Sequence, residues 1–203
     1  MNSAAPSHVI AQPETLYVGS SAYLIATENP DGSTNLSPAS SYWALGSTIV
    51  LGLEGAGKTV QNLLVRPDLT VNFPSGDLVD AVLRLDGTTG ANPVPEGKGR
   101  YRHEADKFGV AGLTPQGSDL VAVPRVAECQ LQFEARVIRA TPGHTGEWFM
   151  VEAEVLRVHA DPRILKPGTA LPDPRLWSPL VYEFRHFFTT GEEVGHLPAS
   201  LTA

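Results

Sequence analysis

Gly52-Leu53-Glu54-Gly55-Ala56-Gly57-Lys58-Thr59 follows the apolar run Thr48-Ile49-Val50-Leu51 and precedes Val60, Gln61 and Asn62. The eight residues fit G-x-x-x-x-G-K-[ST], a loop whose backbone N–H groups cradle phosphate while the lysine adds charge. A P-loop nucleotidase built on it requires β-α-β units, a parallel sheet and a magnesium-binding aspartate closing a second apolar strand. The near candidate is Val82-Leu83-Arg84-Leu85-Asp86, where an arginine interrupts the run and the apolar spacing is helical. The bland alternative is a surface turn with a solvated Lys58. The flanking chain decides among these.

Upstream, Leu16 to Thr27 reads as a strand, with Tyr17, Gly19, Ser21, Tyr23 and Ile25 on one face and Val18, Ala22, Leu24 and Ala26 on the other. Asn29-Pro30-Asp31-Gly32 closes a hairpin turn onto Ser33–Leu36. Ser37-Pro38-Ala39-Ser40-Ser41 follows, small residues that leave backbone N–H groups open to a ligand. Tyr42–Leu45 and Thr48–Leu53 are further strands, the second apolar enough for burial on both faces.

Downstream, Thr59–Arg66 is a two-turn helix stopped by Pro67. Leu69–Phe73 is a strand by β-branched content, and Ser75–Leu85 is a helix with Ser75 as its N-cap. Gly87–Gly99 is a long, turn-rich loop of the kind that forms a lid or an interface. Glu104–Phe108 is one helical turn. Leu120–Val123, Val126–Ala140 and Glu147–His159 are strands, the last two a long hairpin across Thr141–Gly146. Asp161–Pro179 is irregular, and Val181–Phe188 supplies a last apolar stretch. The sum is a mostly β chain with a few short helices, an antiparallel barrel or meander rather than β-α-β alternation.

Composition narrows the partners. The 203 residues carry a formal charge of −7 without a Lys/Arg cluster, which disfavours nucleic acid. Residues 1–12 are small, polar and aperiodic, an expected loose arm, and 13–203 is long enough for one domain. Cys129 stands alone, and the six histidines lack zinc-ligand spacing, so no metal is expected. Without a secretory h-region or a run of eighteen apolar residues, no membrane is expected and the expected setting is cytoplasmic.

A family resemblance then enters. Ser33-Thr34-Asn35-Leu36-Ser37-Pro38-Ala39-Ser40-Ser41-Tyr42-Trp43, the strand Thr48–Leu53 and Lys58-Thr59-Val60-Gln61-Asn62 together resemble the flavin reductase-like family of FMN-binding split barrels. Thr70–Phe73, Lys107-Phe108-Gly109-Val110-Ala111-Gly112-Leu113, Val126–Ala135 and Trp177–Phe188 extend the likeness from about Leu16 to Gly195. The resemblance implies a split β-barrel that binds FMN without a covalent link and pairs as a homodimer with the flavin at the interface. It also implies hydride transfer from NAD(P)H to flavin N5, then electron delivery to free flavin, oxygen or a partner protein; a non-enzymatic FMN electron carrier is the alternative.

Residue by residue, Ser37, Pro38, Ala39, Ser40, Ser41 and Tyr42 are expected to line the flavin. Lys58 and Thr59 are expected to hold its phosphate, with Gly57 letting the backbone approach; Asn62 could orient that loop or hydrogen-bond its backbone, or be a solvent-facing helix residue. Tyr42 or Trp43 could pack on the ring, or both could be core residues. Arg185 and His186 could reach the flavin or a second subunit. His103, with Arg100 and Arg102, could meet an anionic nicotinamide nucleotide or form a solvated basic turn. Cys129 reads as a small core residue, and His144 and His159 show no partner.

Overall fold

The computed structural model describes residues 8–195. The arm expected over residues 1–12 lies outside the described residues as far as residue 7, and residues 8–12 are exposed and irregular. The first strand is shorter than its alternation suggests: β1 (Ser20–Ser21) and β2 (Tyr23–Glu28) begin only after Gly19, which takes φ +61°. β2 turns back onto β3 (Thr34–Ala39), with Gly32 at φ +82° and Asp31 Oδ1 accepting the Ser33 N–H at 3.0 Å. β3 runs straight through Pro38, because it is an edge strand and the missing donor deprives no neighbour.

β4 (Tyr42–Leu45) and β5 (Thr48–Glu54) form the next hairpin, followed by α1 (Lys58–Leu63) and β6 (Asp68–Phe73). The single helix expected over Ser75–Leu85 is a 3₁₀ turn, Gly76–Leu78, leading into α2 (Val79–Leu85). Ser75 stands at the N-cap position as expected but makes no side-chain capping bond, since its hydroxyl donates to the Asp77 carboxylate. α2 buries Ala81, Val82 and Leu85, and leaves Leu83 in solvent.

β7 (Thr88–Thr89) and β8 (Arg102–His103) bracket the long loop. α3 (Lys107–Ala111) comes one turn later than expected, started by Asp106, whose carboxylate accepts the Gly109 N–H at 2.8 Å, and stopped by Gly112 at φ +67°. β9 (Pro115–Gln116) pairs with β10 (Arg125–Val126). Leu120–Val123 is not a strand, because the N–H groups of Asp119 and Leu120 turn inward to the Glu134 carboxylate. β11 (Leu131–Pro142) and β12 (Trp148–Ala160) form the long hairpin, and β13 (Leu180–Glu183) and β14 (His186–Thr189) close the chain.

The principal sheet is antiparallel in the order β3-β2-β6-β11-β12-β5-β4. β3 and β4 follow one another in sequence yet stand at opposite edges, so the sheet curls until Ser40-Ser41 can join them. That corner is pinned: the Ser41 carbonyl accepts the Gly52 N–H at 3.1 Å and the Tyr23 hydroxyl at 3.0 Å. The result is a split barrel with two apolar cores. One fills the barrel with Tyr23, Ile25, Leu51, Leu69, Val71 and Val151; the other packs Leu24, Ala26 and Leu36 under α2 and α3. β2 is therefore buried on both faces, and each fully buried Leu or Ile contributes about 1.5–3 kcal/mol.

This architecture excludes a P-loop. β5, the strand that enters the glycine loop, is antiparallel to both of its neighbours, and no β-α-β crossover joins parallel strands in the principal sheet among the described residues. Gly52 and Leu53 belong to the strand itself, so the loop proper is only Gly55-Ala56-Gly57.

Candidate functional site

The glycines of the loop answer to packing. A Cβ on Gly55 would meet the carbonyl of Gly146 at 3.0 Å, and one on Gly57 would meet that of Glu54 at 3.0 Å. The Gly57 N–H is donated to that Glu54 carbonyl at 3.0 Å, which closes the turn into α1. Lys58 and Thr59 then open α1 at the edge of a cleft of about 610 Å³, within the size range of small-ligand sites.

Ser37, Pro38, Ala39 and Ser40 form one wall of this cleft, and Gly57, Lys58 and Thr59 form another. Thr59 is buried, and its hydroxyl accepts the Asn35 amide at 3.1 Å, which anchors the start of α1 to β3. Gly90, from the long loop, presses against both: a Cβ there would stand 2.4 Å from Asn35 Oδ1 and 3.1 Å from Lys58 Cγ.

Three residues expected in the site are turned elsewhere. Ser41 lies outside the cleft lining, its hydroxyl paired with Tyr17 Oη at 2.7 Å. Tyr42 faces the barrel core, with ring centroids 5.5 Å from Phe73 and 6.0 Å from Tyr23, because strand alternation sends it inward. Burial raises the pKa of its hydroxyl. Trp43 consequently faces out, 53% exposed, so neither aromatic lines the cleft. Asn62 is buried and donates to Thr27 Oγ1 at 3.1 Å and Asn29 Oδ1 at 2.9 Å, so it fastens α1 to the first hairpin rather than orienting the phosphate loop.

The long loop supplies what the sequence pattern did not single out. Gly87–Gly90, Lys98 and Tyr101 line the cleft, and Lys98 Nζ reaches Glu54 Oε2 at 2.6 Å across its rim. Lys107, on α3, also lines it while only 2% exposed. Its ammonium donates to Thr88 Oγ1 at 2.8 Å and has no carboxylate within 4 Å among the described residues. Burial lowers its pKa to about 8. The signal for Lys107 was present in the Lys107-Phe108-Gly109 run, but spacing alone could not show which helix face it occupies.

Of the remaining candidates, Arg185 lines the cleft, whereas His186 does not. His103, Arg100 and Arg102 also lie outside the lining, with His103 Nδ1 3.2 Å from the Ala91 carbonyl. His159 does have a partner, Glu134, at 2.6 Å, and His144 meets the Trp148 ring edge-on at 6.4 Å. Cys129 is a buried core residue whose thiol pKa is pushed up by burial. Asp119, Glu134 and His159 gather ligand atoms within 4.8 Å of one another outside the cleft, but Arg157 already pairs with Asp119 at 2.7 Å.

The architecture is that of a split barrel with a small-ligand cleft, and comparison with known proteins supplies its family. Residues 16–191 match the family described as "Flavin reductase like domain", and the chain belongs to that family. YdfE of Bacillus subtilis (strain 168) is 39% identical over 188 residues, covering 91% of this chain and 90% of YdfE. Among solved structures, flavoredoxin of Desulfovibrio vulgaris (Miyazaki F) superimposes with TM-score 0.78 at 22% identity, covering 97% of this chain and 99% of that one. NADH:FAD oxidoreductase SgcE6 of Streptomyces globisporus C-1027, in complex with NAD and FAD fragments, gives 0.65 at 11% identity, with 88% and 90% covered. The family places this chain among flavin-related oxidoreductases. No helix among the described residues is long and apolar enough to cross a membrane.

Proposed function

We propose that the chain is a flavin reductase-type enzyme that holds FMN non-covalently in the cleft and passes reducing equivalents from NAD(P)H to free flavin, oxygen or a partner protein. The observation that carries this reading is the meeting of Lys58 and the buried Lys107 in one cleft of a chain with net charge −7, with Lys98 at its rim held by Glu54. A flavin supplies the hydride chemistry when bound. The protein's part is to bind and orient it. The cleft residues fit the group: Lys58 and Thr59 would hold the phosphate, and Ser37–Ser40 give a wall of small residues. Lys107 presents ammonium donors left without a partner among the described residues.

The proposed working form is a cytoplasmic homodimer with the cleft at the interface. On the outer face of the β4-β5-β12 corner, Trp43 and Leu45 (76% exposed) share a surface with Trp148 and Met150. Gly52 and Glu54 belong to that face and also line the cleft, so burying it would cover the cleft mouth.

A carrier that binds FMN without rapid reduction by NAD(P)H is the second reading, favoured by the likeness to a flavoredoxin; SgcE6, named for NADH and FAD, favours the reductase. The test is anaerobic addition of NADH or NADPH to the FMN-loaded protein, followed by its visible spectrum. Rapid bleaching is expected. A yellow protein that neither nucleotide bleaches is a carrier, and one that takes no FMN is neither.

A further inference from the structure

Arg185 sits in the wall of the cleft on a strained turn, and we propose that it determines specificity by binding the pyrophosphate of the nicotinamide dinucleotide; the inference rests on the flavin reading above. β13 and β14 pair as far as Glu183 and His186, so Phe184 and Arg185 are the whole loop. Both take positive φ, 43° and 70°. A two-residue hairpin of that form favours Asn-Gly, because an ordinary side chain at positive φ crowds its own backbone. The turn by itself therefore does not account for an arginine.

The strained backbone is held from outside. The Phe184 N–H donates to the Tyr17 carbonyl at 3.2 Å, and the Tyr17 ring packs edge-on against Tyr182 at 5.3 Å. This fixes the Arg185 stem beside Tyr17, Tyr182 and Phe187, which line the same cleft. The guanidinium stays available. Its carboxylate contact among the described residues is Glu14, 3.7 Å from Nε, and the two side chains are 69% and 81% exposed, so solvent screens the pair.

FMN carries a single phosphate, for which Lys58 and Thr59 are assigned. Arg185 comes from a separate part of the chain, lines the cleft and keeps its side chain 69% exposed, open to a second anion. A guanidinium fork matches the paired oxygens of a pyrophosphate better than an ammonium does. In the proposed reaction the reactant that carries a pyrophosphate and must lie against the flavin is the nicotinamide dinucleotide. Arg185, rather than Arg100 or Arg102 outside the cleft, is placed to receive it.

Calorimetric titration of NAD⁺ and of nicotinamide mononucleotide, which lacks the pyrophosphate, into FMN-loaded protein tests this. Wild type should prefer NAD⁺. Arg185→Gln should weaken NAD⁺ about tenfold, bringing it to the level of the mononucleotide, with FMN affinity unchanged. Phe184→Asn with Arg185→Gly should lose the same preference while melting at a higher temperature, which separates lost recognition from misfolding. NAD⁺ affinity that survives in both variants overturns the proposal. So does a fall in FMN affinity instead, which would give Arg185 to the flavin phosphate. Wild-type protein that takes no FMN removes the flavin reading, and this inference with it.

Discussion

The ammonium of Lys107 donates to the Thr88 hydroxyl at 2.8 Å, and that hydroxyl in turn donates to the Leu85 carbonyl at 2.7 Å. The chain of donors fixes the lysine in the cleft lining, with no carboxylate within 4 Å among the described residues. A buried, unpaired cation beside a cleft is an anion site in waiting. Lys107→Met should raise the Kd for FMN about tenfold or more, without lowering the melting temperature of the flavin-free protein. Fluorescence titration and a thermal melt together check it.

Lys107 also sets a pH dependence. Burial lowers its pKa from the ordinary 10.5 to about 8, so between those values the unfolded chain binds the extra proton and the folded chain does not. Stability of the flavin-free protein should therefore rise with pH across that window. The increase is at most a few kcal/mol, since one unit corresponds to about 1.4 kcal/mol. Below pH 8 the cost of burying the charge is fully present. Denaturant midpoints from pH 7.5 to 10 should show the rise in wild type and lose this component in Lys107→Met.

Gly90 brings the long loop against Asn35 and Lys58, at the end of the cleft proposed to hold phosphate. A methyl group there collides with Asn35 Oδ1 and crowds Lys58. Since Asn35 holds Thr59, Gly90→Ala should disturb both expected phosphate ligands at once. FMN affinity should fall about tenfold while the far-ultraviolet circular dichroism is unchanged; unchanged affinity would mean the loop does not govern the phosphate end.

Glu134 is the acid-sensitive joint of the fold. Burial alone would raise its pKa, but the N–H groups of Asp119 and Leu120 and the His159 ring outweigh that and hold it below the ordinary carboxylate value. Its stabilising effect is complete above the unfolded value near 4.5 and is lost as pH falls through the lower folded value. Glu134→Gln should cost about 2–4 kcal/mol near neutrality. Because the amide does not titrate, the variant should lose part of the acid dependence of wild type, as urea unfolding between pH 3 and 7 can show.

Much of the architecture was legible because local patterns and global fold agree. The strand over Thr48–Leu53, the 29–32 turn, the long hairpin across 141–146 and the order of motifs along the chain pointed to a split barrel. What stayed hidden has physical causes. The break at Gly19 depends on β1 pairing with residues about 160 positions away, around Val181 and Tyr182, and no local pattern records that. Ser75 looked like a cap, yet a neighbouring carboxylate takes its hydroxyl. In the site, Ser37–Ser40 and Lys58-Thr59 were readable as small and cationic residues at fixed spacing. Ser41, Tyr42 and Asn62 have suitable chemistry but spend it on Tyr17, on the Phe73 ring and on Thr27 and Asn29. Lys98, Lys107 and Arg185 reach the cleft from loops and elements 40 to 130 residues downstream of Lys58, a convergence that only the folded topology creates.

The central claim is that the Lys58-Thr59 end of the cleft holds the flavin's phosphate. Its most direct test is FMN titration of the flavin-free protein beside Lys58→Ala/Thr59→Ala, followed by flavin fluorescence, with riboflavin, which has no phosphate, as the reference ligand. The account predicts that the double variant binds FMN at least about tenfold more weakly, no better than riboflavin, while riboflavin binding stays near wild type; the melting temperature falls, because the buried Asn35 amide loses Thr59 Oγ1. Equal FMN affinity in the two proteins would contradict it, and the loop would be only a turn.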